Sequence, residues 1–185
     1  MSLERVLGGE IEEPLSWVLA IAALSFAFGK TSVFSLEFFT SPYFVGIFLG
    51  FVIHELAHRG VARMYGLYAD FVAHVPGLLI TFLSGLLPFV LIAPGYVRVF
   101  GWGESRGVLY SVIAGPSTNI AIAIGALLLS PWSSFMLPIA FINSWLAFFN
   151  LLPIPPLDGS KIFRGSPLLW TAMMLTSAIL LFLAA

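Results

Sequence analysis

Long apolar runs, separated by short polar breaks, dominate this chain of 185 residues. Six such runs lie at roughly 14–28, 42–62, 77–93, 107–129, 134–152 and 167–183. A helix that crosses a bilayer needs about 20 apolar residues, within a range of roughly 17–25. The second and fourth runs meet this length comfortably, and the last nearly does. The pattern predicts an all-α polytopic membrane protein, with residues 1–185 forming one membrane-embedded domain of about five to six transmembrane helices.

The first and third runs are shorter than a bilayer requires. The first reaches a spanning length only if its helix continues into residues 29–36. The third contains Gly85 and Pro88, and proline interrupts a helix because it lacks an N–H donor. We therefore predict that residues 77–93 form a re-entrant element, which enters the membrane and returns on the same side, or that the residues after them make the return passage.

The distribution of positive charge favours the same arrangement, because cytoplasmic loops of membrane proteins collect Lys and Arg. If the third run turns back, most of the basic residues lie on one side of the membrane. They are Arg59, Arg63, Arg98, Arg106, Lys161 and Arg164. The sequence thus predicts a multi-pass protein of the cell membrane, with the second run ending at the cytoplasmic face. Arg59 and Arg63 are expected there as anchors that extend their charged ends to the headgroups.

The composition excludes several classes of protein. The chain is 59% hydrophobic and 9% charged, with a mean hydropathy of +1.02, whereas soluble domains carry about 25% charged residues. Too little polar surface is available to cover a water-soluble particle, so the lipid bilayer is the expected surrounding. The net charge of −1 argues against a nucleic-acid partner. The absence of cysteine rules out disulfides and thiolate ligands.

Ionisable residues appear abruptly near the end of the second run. Residues 38–53 contain no Asp, Glu, Lys, Arg or His, and then His54, Glu55 and His58 follow within five positions. Such side chains are costly at membrane depth and usually carry function there. Histidines four residues apart lie on one face of a helix and can reach one metal ion, with Glu55 beside a metal-bound water as general base. The motif predicts a zinc hydrolase that works within the bilayer, with one Zn²⁺ per chain.

A catalytic zinc usually takes three protein ligands and leaves one position for water. The candidates for the third ligand are Asp70, His74, Glu104 and Asp158. Asp158 stands out because it follows three prolines in four positions, 153–156, which cannot continue a helix. A helix that unwinds at membrane depth is expected beside a cavity or a site. The alternative for Asp158 is a proline-rich surface loop with a solvated aspartate. A lone histidine such as His74, close to the membrane interface, is expected to be a structural or surface residue.

The depth of the second and fifth runs provides a check on this ligand set. If the third run does not cross, residues 150–158 arrive at the side of the membrane where His54 and His58 lie. A full crossing would place Asp158 near the opposite face. The ligand geometry and the charge distribution therefore favour one topology, with the active site toward the cytoplasmic side.

A short strand is predicted immediately after the third run. Tyr96, Arg98 and Phe100 alternate with valines, as in a strand. One interpretation is a simple surface turn. The other is an edge strand near the active site that holds an unfolded substrate by adding a strand to it.

Three motifs in this order resemble the site-2 protease family of intramembrane zinc metalloproteases. They are His54-Glu55-Leu56-Ala57-His58, Ala114-Gly115-Pro116-Ser117-Thr118-Asn119, and the segment from Asn150 to Gly159. The resemblance covers roughly residues 43–165 and is closest to compact prokaryotic or archaeal members that lack PDZ and CBS domains. Residues 77–93 depart from the family core, where a short strand-rich segment is expected.

The resemblance implies a role for each motif. It implies that His54, His58 and Asp158 bind zinc and that Glu55 is the catalytic acid and base. It implies that Asn150 binds the substrate backbone or the developing oxyanion. Asn119 is expected to bond between helices in a structural role, and Gly115 and Gly125 are expected to permit close helix packing.

The function implied is hydrolysis of peptide bonds in or near transmembrane segments of membrane-protein substrates, as in regulated intramembrane proteolysis. The expected partners are a transmembrane substrate and the bilayer. One alternative is a membrane metal-binding or transport protein without hydrolysis, and another is a proteolytically silent relative that acts as a scaffold. Glu55 separates them, since a transporter needs no general base beside its metal.

Overall fold

The computed structural model describes Ile11, residues 13–101 and residues 105–185. These residues form seven α-helices, two 3₁₀ helices and two strands. The helices are α1 (Glu13–Gly29), α2 (Pro42–Met64), α3 (Val75–Ser84), α4 (Ser105–Leu129), α5 (Met136–Asn150), α6 (Asp158–Gly165) and α7 (Pro167–Ala184). The 3₁₀ helices are Lys30–Phe34 and Leu36–Thr40, and the strands are β1 (Tyr68–Ala73) and β2 (Gly95–Phe100).

Four helical segments of the described residues are long and apolar enough to cross a membrane. They are Glu13–Phe34, Pro42–Met64, Arg106–Leu129 and Pro167–Ala184. The first includes the 3₁₀ turn after α1, so the first run gains its spanning length from the residues beyond Gly29. The shorter α5, with 15 residues, packs against α2, α4 and α7. The predicted all-α polytopic membrane fold is therefore confirmed.

The third apolar run does not form a spanning helix. Its helix, α3, has ten residues and is about 15 Å long, half the thickness of the hydrocarbon core. The strands on either side of it pair antiparallel, with Ala73 opposite Gly95 at the end nearest α3. The chain therefore leaves the sheet and returns to the same place. Thr81 Oγ1 accepts a hydrogen bond of 2.9 Å from Ala93 N, which ties the returning segment to α3.

The predicted strand is present as β2, and its partner β1 was not expected from the sequence. The two strands pair from Tyr68 opposite Phe100 to Ala73 opposite Gly95. An ion pair supports this register: Arg98 donates to Asp70 from Nε at 3.1 Å and from Nη2 at 2.7 Å. Such a two-pronged bond fixes the two side chains in one geometry.

Aromatic packing fastens the sheet to the helices. The ring of Phe71 in β1 lies 5.2 Å from the ring of Phe51 in α2 and 5.6 Å from that of Trp17 in α1, measured between centroids. Ser16 Oγ accepts a hydrogen bond of 3.1 Å from Ala73 N. These contacts hold the end of β1 against the start of α1.

The expectation that Arg59 extends to the headgroups is wrong. Its guanidinium forms an ion pair with Glu13 and lies over the Trp17 ring, 5.7 Å from the centroid. Both partners belong to the first turns of α1, so the charge is balanced within the protein. Arg63 is exposed, and its anchoring role stays a prediction.

A stripe with a spacing of four residues runs along α2, through Gly46, Gly50, His54 and His58. A Cβ added at Gly46 would lie 3.2 Å from the Cα of Ile139 in α5. At Gly50, an added Cβ would lie 2.7 Å from both Asn143 Oδ1 and Leu146 Cδ1. The two glycines therefore let α5 approach α2 closely, just before the two histidines.

Substitution of Gly50 by Ala should destabilise the fold by about 1–3 kcal/mol, since the new methyl group overlaps α5. Gly60 is a matched control on the same helix, because nothing lies within 4 Å of a Cβ added there. Gly60→Ala should be neutral or stabilising by roughly 0.5–1 kcal/mol through the better helix propensity of alanine. Unfolding in mixed detergent micelles measures both free energies, and equal effects would contradict the close packing of α2 and α5.

Candidate metal centre

Three side chains from two distant segments converge on one point. In α2, His54 and His58 lie one helical turn apart and are 5% and 2% exposed. The first residue of α6, Asp158, faces them. The Nε2 atoms of the two histidines lie 2.9 Å apart, and Asp158 Oδ2 lies 3.3 Å from His54 Nε2 and 3.2 Å from His58 Nε2. These residues form the metal-ligand cluster of the described part of the chain.

The geometry and chemistry of this cluster fit zinc. Ligands at 2.0–2.2 Å around a tetrahedral ion lie about 3.3 Å from one another, close to the separations found here. The other nitrogen of each ring, Nδ1, faces an oxygen, which leaves both Nε2 atoms with a lone pair. In neutral rings these two lone pairs point at the same place as Asp158 Oδ2, an arrangement that suits a shared cation.

Helix α4 fixes the orientation of both rings. His58 Nδ1 donates to the backbone oxygen of Ser111 at 2.7 Å, and Ser111 Oγ donates back to the backbone oxygen of His58 at 2.8 Å. His54 Nδ1 donates to Asn119 Oδ1 at 2.6 Å. Hydrogen bonds of this kind select the ring nitrogen that binds a metal and orient it.

Gly115 leaves the space that the two rings occupy. It lies on α4 midway between Ser111 and Asn119, at a spacing of four residues. A Cβ added at Gly115 would overlap the ring of His58 and would lie 2.7 Å from His54 Nε2. The expected close packing is present, although the neighbours are imidazoles. The same expectation for Gly125 is wrong, since among the described residues nothing lies within 4 Å of a Cβ there.

The predicted helix break delivers Asp158 to the cluster. Helix α5 ends at Asn150, and α6 begins at Asp158 after turns through the proline-rich segment. Trp170 of α7 donates from Nε1 to the freed backbone oxygen of Leu151 at 2.7 Å. A Cβ at Gly159 would collide with that same oxygen, so the small residue after Asp158 lets the segment fold back tightly.

A small polar cavity lies beside the three ligand atoms. Its volume is about 30 Å³, which is room for one or two water molecules. It is lined by the ligands and by Glu55, Asn150 and the start of β2. Glu55 is 7% exposed, and its Oε2 has no hydrogen-bond partner among the described residues. The predicted general base therefore lies beside the predicted ligands with a buried, unsatisfied oxygen.

The structure places two of the other candidate ligands elsewhere. The carboxylate of Asp70 is paired with Arg98 across the sheet. His74 precedes α3 and caps it, with Nδ1 accepting a hydrogen bond of 3.3 Å from Gly77 N. Glu104 lies outside the described residues.

Comparison with known proteins places the chain in a family. The family profile of peptidase family M50 matches residues 108–172, which include α4 and the proline-rich break but not the two histidines. The protein MJ0611 of Methanocaldococcus jannaschii is 36% identical over 181 residues, which cover 92% of this chain and 91% of that protein. The chain belongs to peptidase family M50. The resemblance to the compact site-2 proteases is thereby confirmed.

Two further relatives of this M50 chain are, like MJ0611, named as zinc metalloproteases. MJ0392 of Methanocaldococcus jannaschii, named a zinc metalloprotease, is 26% identical over 170 residues, which cover 88% of this chain and 44% of that protein. YwhC of Bacillus subtilis is 34% identical over 154 residues, which cover 65% of this chain and 67% of that protein. The names of MJ0611 and YwhC also describe zinc metalloproteases. No solved structure matches the chain significantly.

Sequence reasoning missed Ser111 and Asn143 as part of the site's surroundings. The four-residue spacing of Ser111, Gly115 and Asn119 is a signal that could have revealed the face of α4 toward the histidines. A backbone oxygen as the partner of His58 leaves no trace in the sequence, because every residue carries one. Asn143, within α5, offered no motif.

Gly115→Ala should lower the metal affinity by at least tenfold, because its methyl group would displace the His58 ring from the cluster. Gly125→Ala, on the same helix with open space around its Cβ, is the matched control and should retain the metal. Zinc content after dialysis, measured by mass spectrometry, distinguishes the two. Full zinc retention by Gly115→Ala would show that the ring does not need this space.

Asp158→Ala should reduce the zinc content, since it removes one of three ligands. Asp70→Ala also deletes a partly buried carboxylate, but one that is paired with Arg98 outside the cluster, and it should bind zinc like the wild type. The same measurement applies to both. If Asp158→Ala kept its full zinc content, the third ligand would have to be another residue.

Proposed function

We propose that this chain is an intramembrane zinc endopeptidase that hydrolyses peptide bonds in or near the transmembrane segments of membrane-protein substrates. One observation carries the proposal: the buried Oε2 of Glu55, which has no hydrogen-bond partner among the residues that the structure describes, shares a small polar cavity with three convergent ligand atoms. A buried polar group without a partner is costly and calls for a specific role. The names of the relatives support both the zinc and the proteolytic activity.

His54, His58 and Asp158 would hold the zinc ion, in keeping with their separations. When bound by three protein ligands, zinc supplies Lewis-acid chemistry at its open position and lowers the pKa of water there from about 15.7 to about 7. The buried surroundings of these residues limit the entry of bulk water and strengthen electrostatic interactions.

Glu55 moves the proton in this proposal. Its carboxylate accepts a proton from the water that attacks the scissile carbonyl and then delivers it to the leaving amine. The carboxylate lies next to His54 in the chain, so its backbone is held by the same rigid helix. Its unpaired oxygen leaves it available to water and substrate.

Asn150 is proposed to orient the substrate backbone. It lies at the end of α5 and lines the cavity with Glu55. Within the described part of the chain its amide makes one hydrogen bond, from Nδ2 to the backbone oxygen of Leu146 at 3.1 Å. The second N–H and the Oδ1 atom remain for a peptide group or for the oxyanion that develops during attack.

The substrate is proposed to bind in extended form beside β2. Gly95, Tyr96 and Val97 of this strand line the cavity, and the described sheet has two strands, which makes β2 an edge strand. A substrate helix must unwind before cleavage, because its carbonyl groups are bonded within the helix. Pairing with an edge strand would replace some of the lost hydrogen bonds.

The bilayer and a transmembrane protein substrate are the proposed partners, and residues 1–185 are proposed to act as one protease domain. We place the active site on the cytoplasmic side of the cell membrane. Two exposed arginines support this orientation: Arg63 near the end of α2 and Arg164 near the end of α6. Both belong to the helices that carry the ligands, and positive charge collects on the cytoplasmic side of membrane proteins.

A membrane metal-binding or transport protein would use the same three ligands without hydrolysis. Such a protein has no use for a general base beside its metal. The buried carboxylate of Glu55 therefore favours the peptidase, and so does the family.

Glu55→Gln should retain its zinc and lose cleavage by about 10²–10⁴-fold, because the amide cannot accept the proton of water. Purified wild type and variant would be compared for zinc content and for cleavage of a model single-span substrate in detergent. Glu37→Gln, in the exposed 3₁₀ turn Leu36–Thr40, is the control and should cleave normally. Equal cleavage by wild type and Glu55→Gln would overturn the role of Glu55.

A further inference from the structure

Two buried side-chain amides, those of Asn119 in α4 and Asn143 in α5, connect His54 to α5 by hydrogen bonds. Asn119, which accepts from His54, donates from Nδ2 to the backbone oxygen of Gly50 at 2.9 Å and to Asn143 Oδ1 at 3.1 Å. Asn143 in turn donates from Nδ2 to the backbone oxygens of Ile139 at 2.9 Å and Gly46 at 3.3 Å. Both asparagines are 0% exposed.

The amide of Asn143 has only one orientation that satisfies its hydrogen-bond partners. Backbone oxygens accept hydrogen bonds and cannot donate them. The NH₂ group of Asn143 must therefore face Gly46 and Ile139, and its Oδ1 must face Asn119. Asn119 then meets two acceptors, Asn143 Oδ1 and the oxygen of Gly50, and its NH₂ group must face both.

The orientation of Asn119 decides which nitrogen of His54 can bind a metal. With its NH₂ group directed away, Asn119 presents Oδ1 to His54, and Nδ1 carries the proton of the neutral ring. The lone pair is then on Nε2, toward His58 and Asp158. If the Asn119 amide were reversed, its NH₂ group would face Nδ1, and the proton of the neutral ring would lie on Nε2, where the metal has to bind.

We infer that Asn143 is a positioning residue for the metal centre: together with the backbone oxygen of Gly50 it fixes the Asn119 amide, which holds the His54 ring with its Nε2 lone pair directed at the ion. The inference rests on the proposed zinc site. The two histidines differ in this respect, because His58 donates directly to a backbone oxygen, that of Ser111, whose polarity cannot be reversed. His54 donates to a side-chain amide, whose polarity has to be fixed by its neighbours.

The position of Asn143 favours this role over one in packing alone. A Cβ at Gly50 would lie 2.7 Å from Asn143 Oδ1, so α2 leaves space for that oxygen at this point. Without the Asn143 oxygen, one N–H of Asn119 would be left buried and unpaired, and the backbone oxygen of Gly50 would be the one remaining acceptor that orients the amide. The Asn119 amide would then be held less firmly, and with it the ring of His54.

Three variants test the inference by metal binding, which does not depend on proteolysis. Asn143→Leu is close in size but removes both polar groups. Asn143→Asp, in its neutral form, keeps an oxygen that accepts from Asn119 and an O–H that donates to one backbone oxygen. Ile142→Ala, at a fully buried neighbour that also packs on Gly46, is the control for lost packing.

The apparent zinc affinity of each purified protein would be measured by competition with a graded series of chelators. Thermal unfolding of the zinc-free proteins and the absorption spectrum of their cobalt-substituted forms complete the comparison. We expect Asn143→Leu to lose affinity by about 10–100-fold and to alter the cobalt spectrum. Asn143→Asp and Ile142→Ala should remain within about threefold of the wild type, even where the melting temperature falls.

Three outcomes would overturn the inference. The first is wild-type zinc affinity in Asn143→Leu. The second is a loss of affinity in Asn143→Asp as large as that in Asn143→Leu. The third is an equally large loss of affinity in Ile142→Ala at an equal loss of melting temperature. If Asn143→Leu does not fold, Asn143→Ser replaces it and should show the same loss. A serine in a helix donates back to the oxygen four residues earlier, as Ser117 does to Ile113 at 2.8 Å, and offers nothing at the distance of Asn119.

Failure of this inference differs from failure of the proposed function. If the wild type itself binds no zinc, the proposed peptidase is wrong. If the wild type binds zinc and cleaves substrate while Asn143→Leu binds zinc equally well, only the role of Asn143 is wrong.

Discussion

The hydrogen bonds from the two imidazoles to α4 are the contacts on which the rest of the site depends. Each takes up one ring nitrogen and so directs the other toward Asp158 and the proposed metal site. They can form only if α2 and α4 lie very close together, and Gly115 provides the space between them. The small residues at the contacts of α2, α4 and α5 therefore serve the geometry of the proposed metal site as much as helix packing.

Non-helical backbone within the membrane imposes the second constraint. Lipid offers no hydrogen bonds, so each interruption of a helix needs partners inside the protein. The break before Asp158 finds one in the Trp170 indole, and the segment that returns from α3 finds one in Thr81. Both irregular segments border the cavity, where they place a carboxylate and a strand beside the histidines.

The sequence predicted the features that have strong local signals. Apolar length identified the spanning helices, the proline cluster identified the break before Asp158, and the four-residue spacing identified His54 and His58 as a pair. The β1 strand was missed because six residues between two helices give too short a pattern, and its register depends on Arg98, far along the chain.

Other features could not be predicted because they depend on tertiary contacts between residues that are far apart in the sequence. Arg59 was expected at the headgroups, since nothing in the sequence shows that Glu13 and Trp17 lie beside it. The partner of His58 is a backbone oxygen, which has no sequence signature. Asn143 lies in an apolar helix, and its contact with Asn119 becomes visible only when α4 and α5 are packed together.

The separation of the ligands along the chain has a consequence for biosynthesis. Between His58 and Asp158 lie about 100 residues, so an ion gripped by both would act as a cross-link that closes a large loop. Binding of that kind adds to the free energy of folding in proportion to the logarithm of the ion's concentration. The cellular supply of zinc would then help to set how much of the newly inserted polypeptide survives quality control, in addition to how much of it is active.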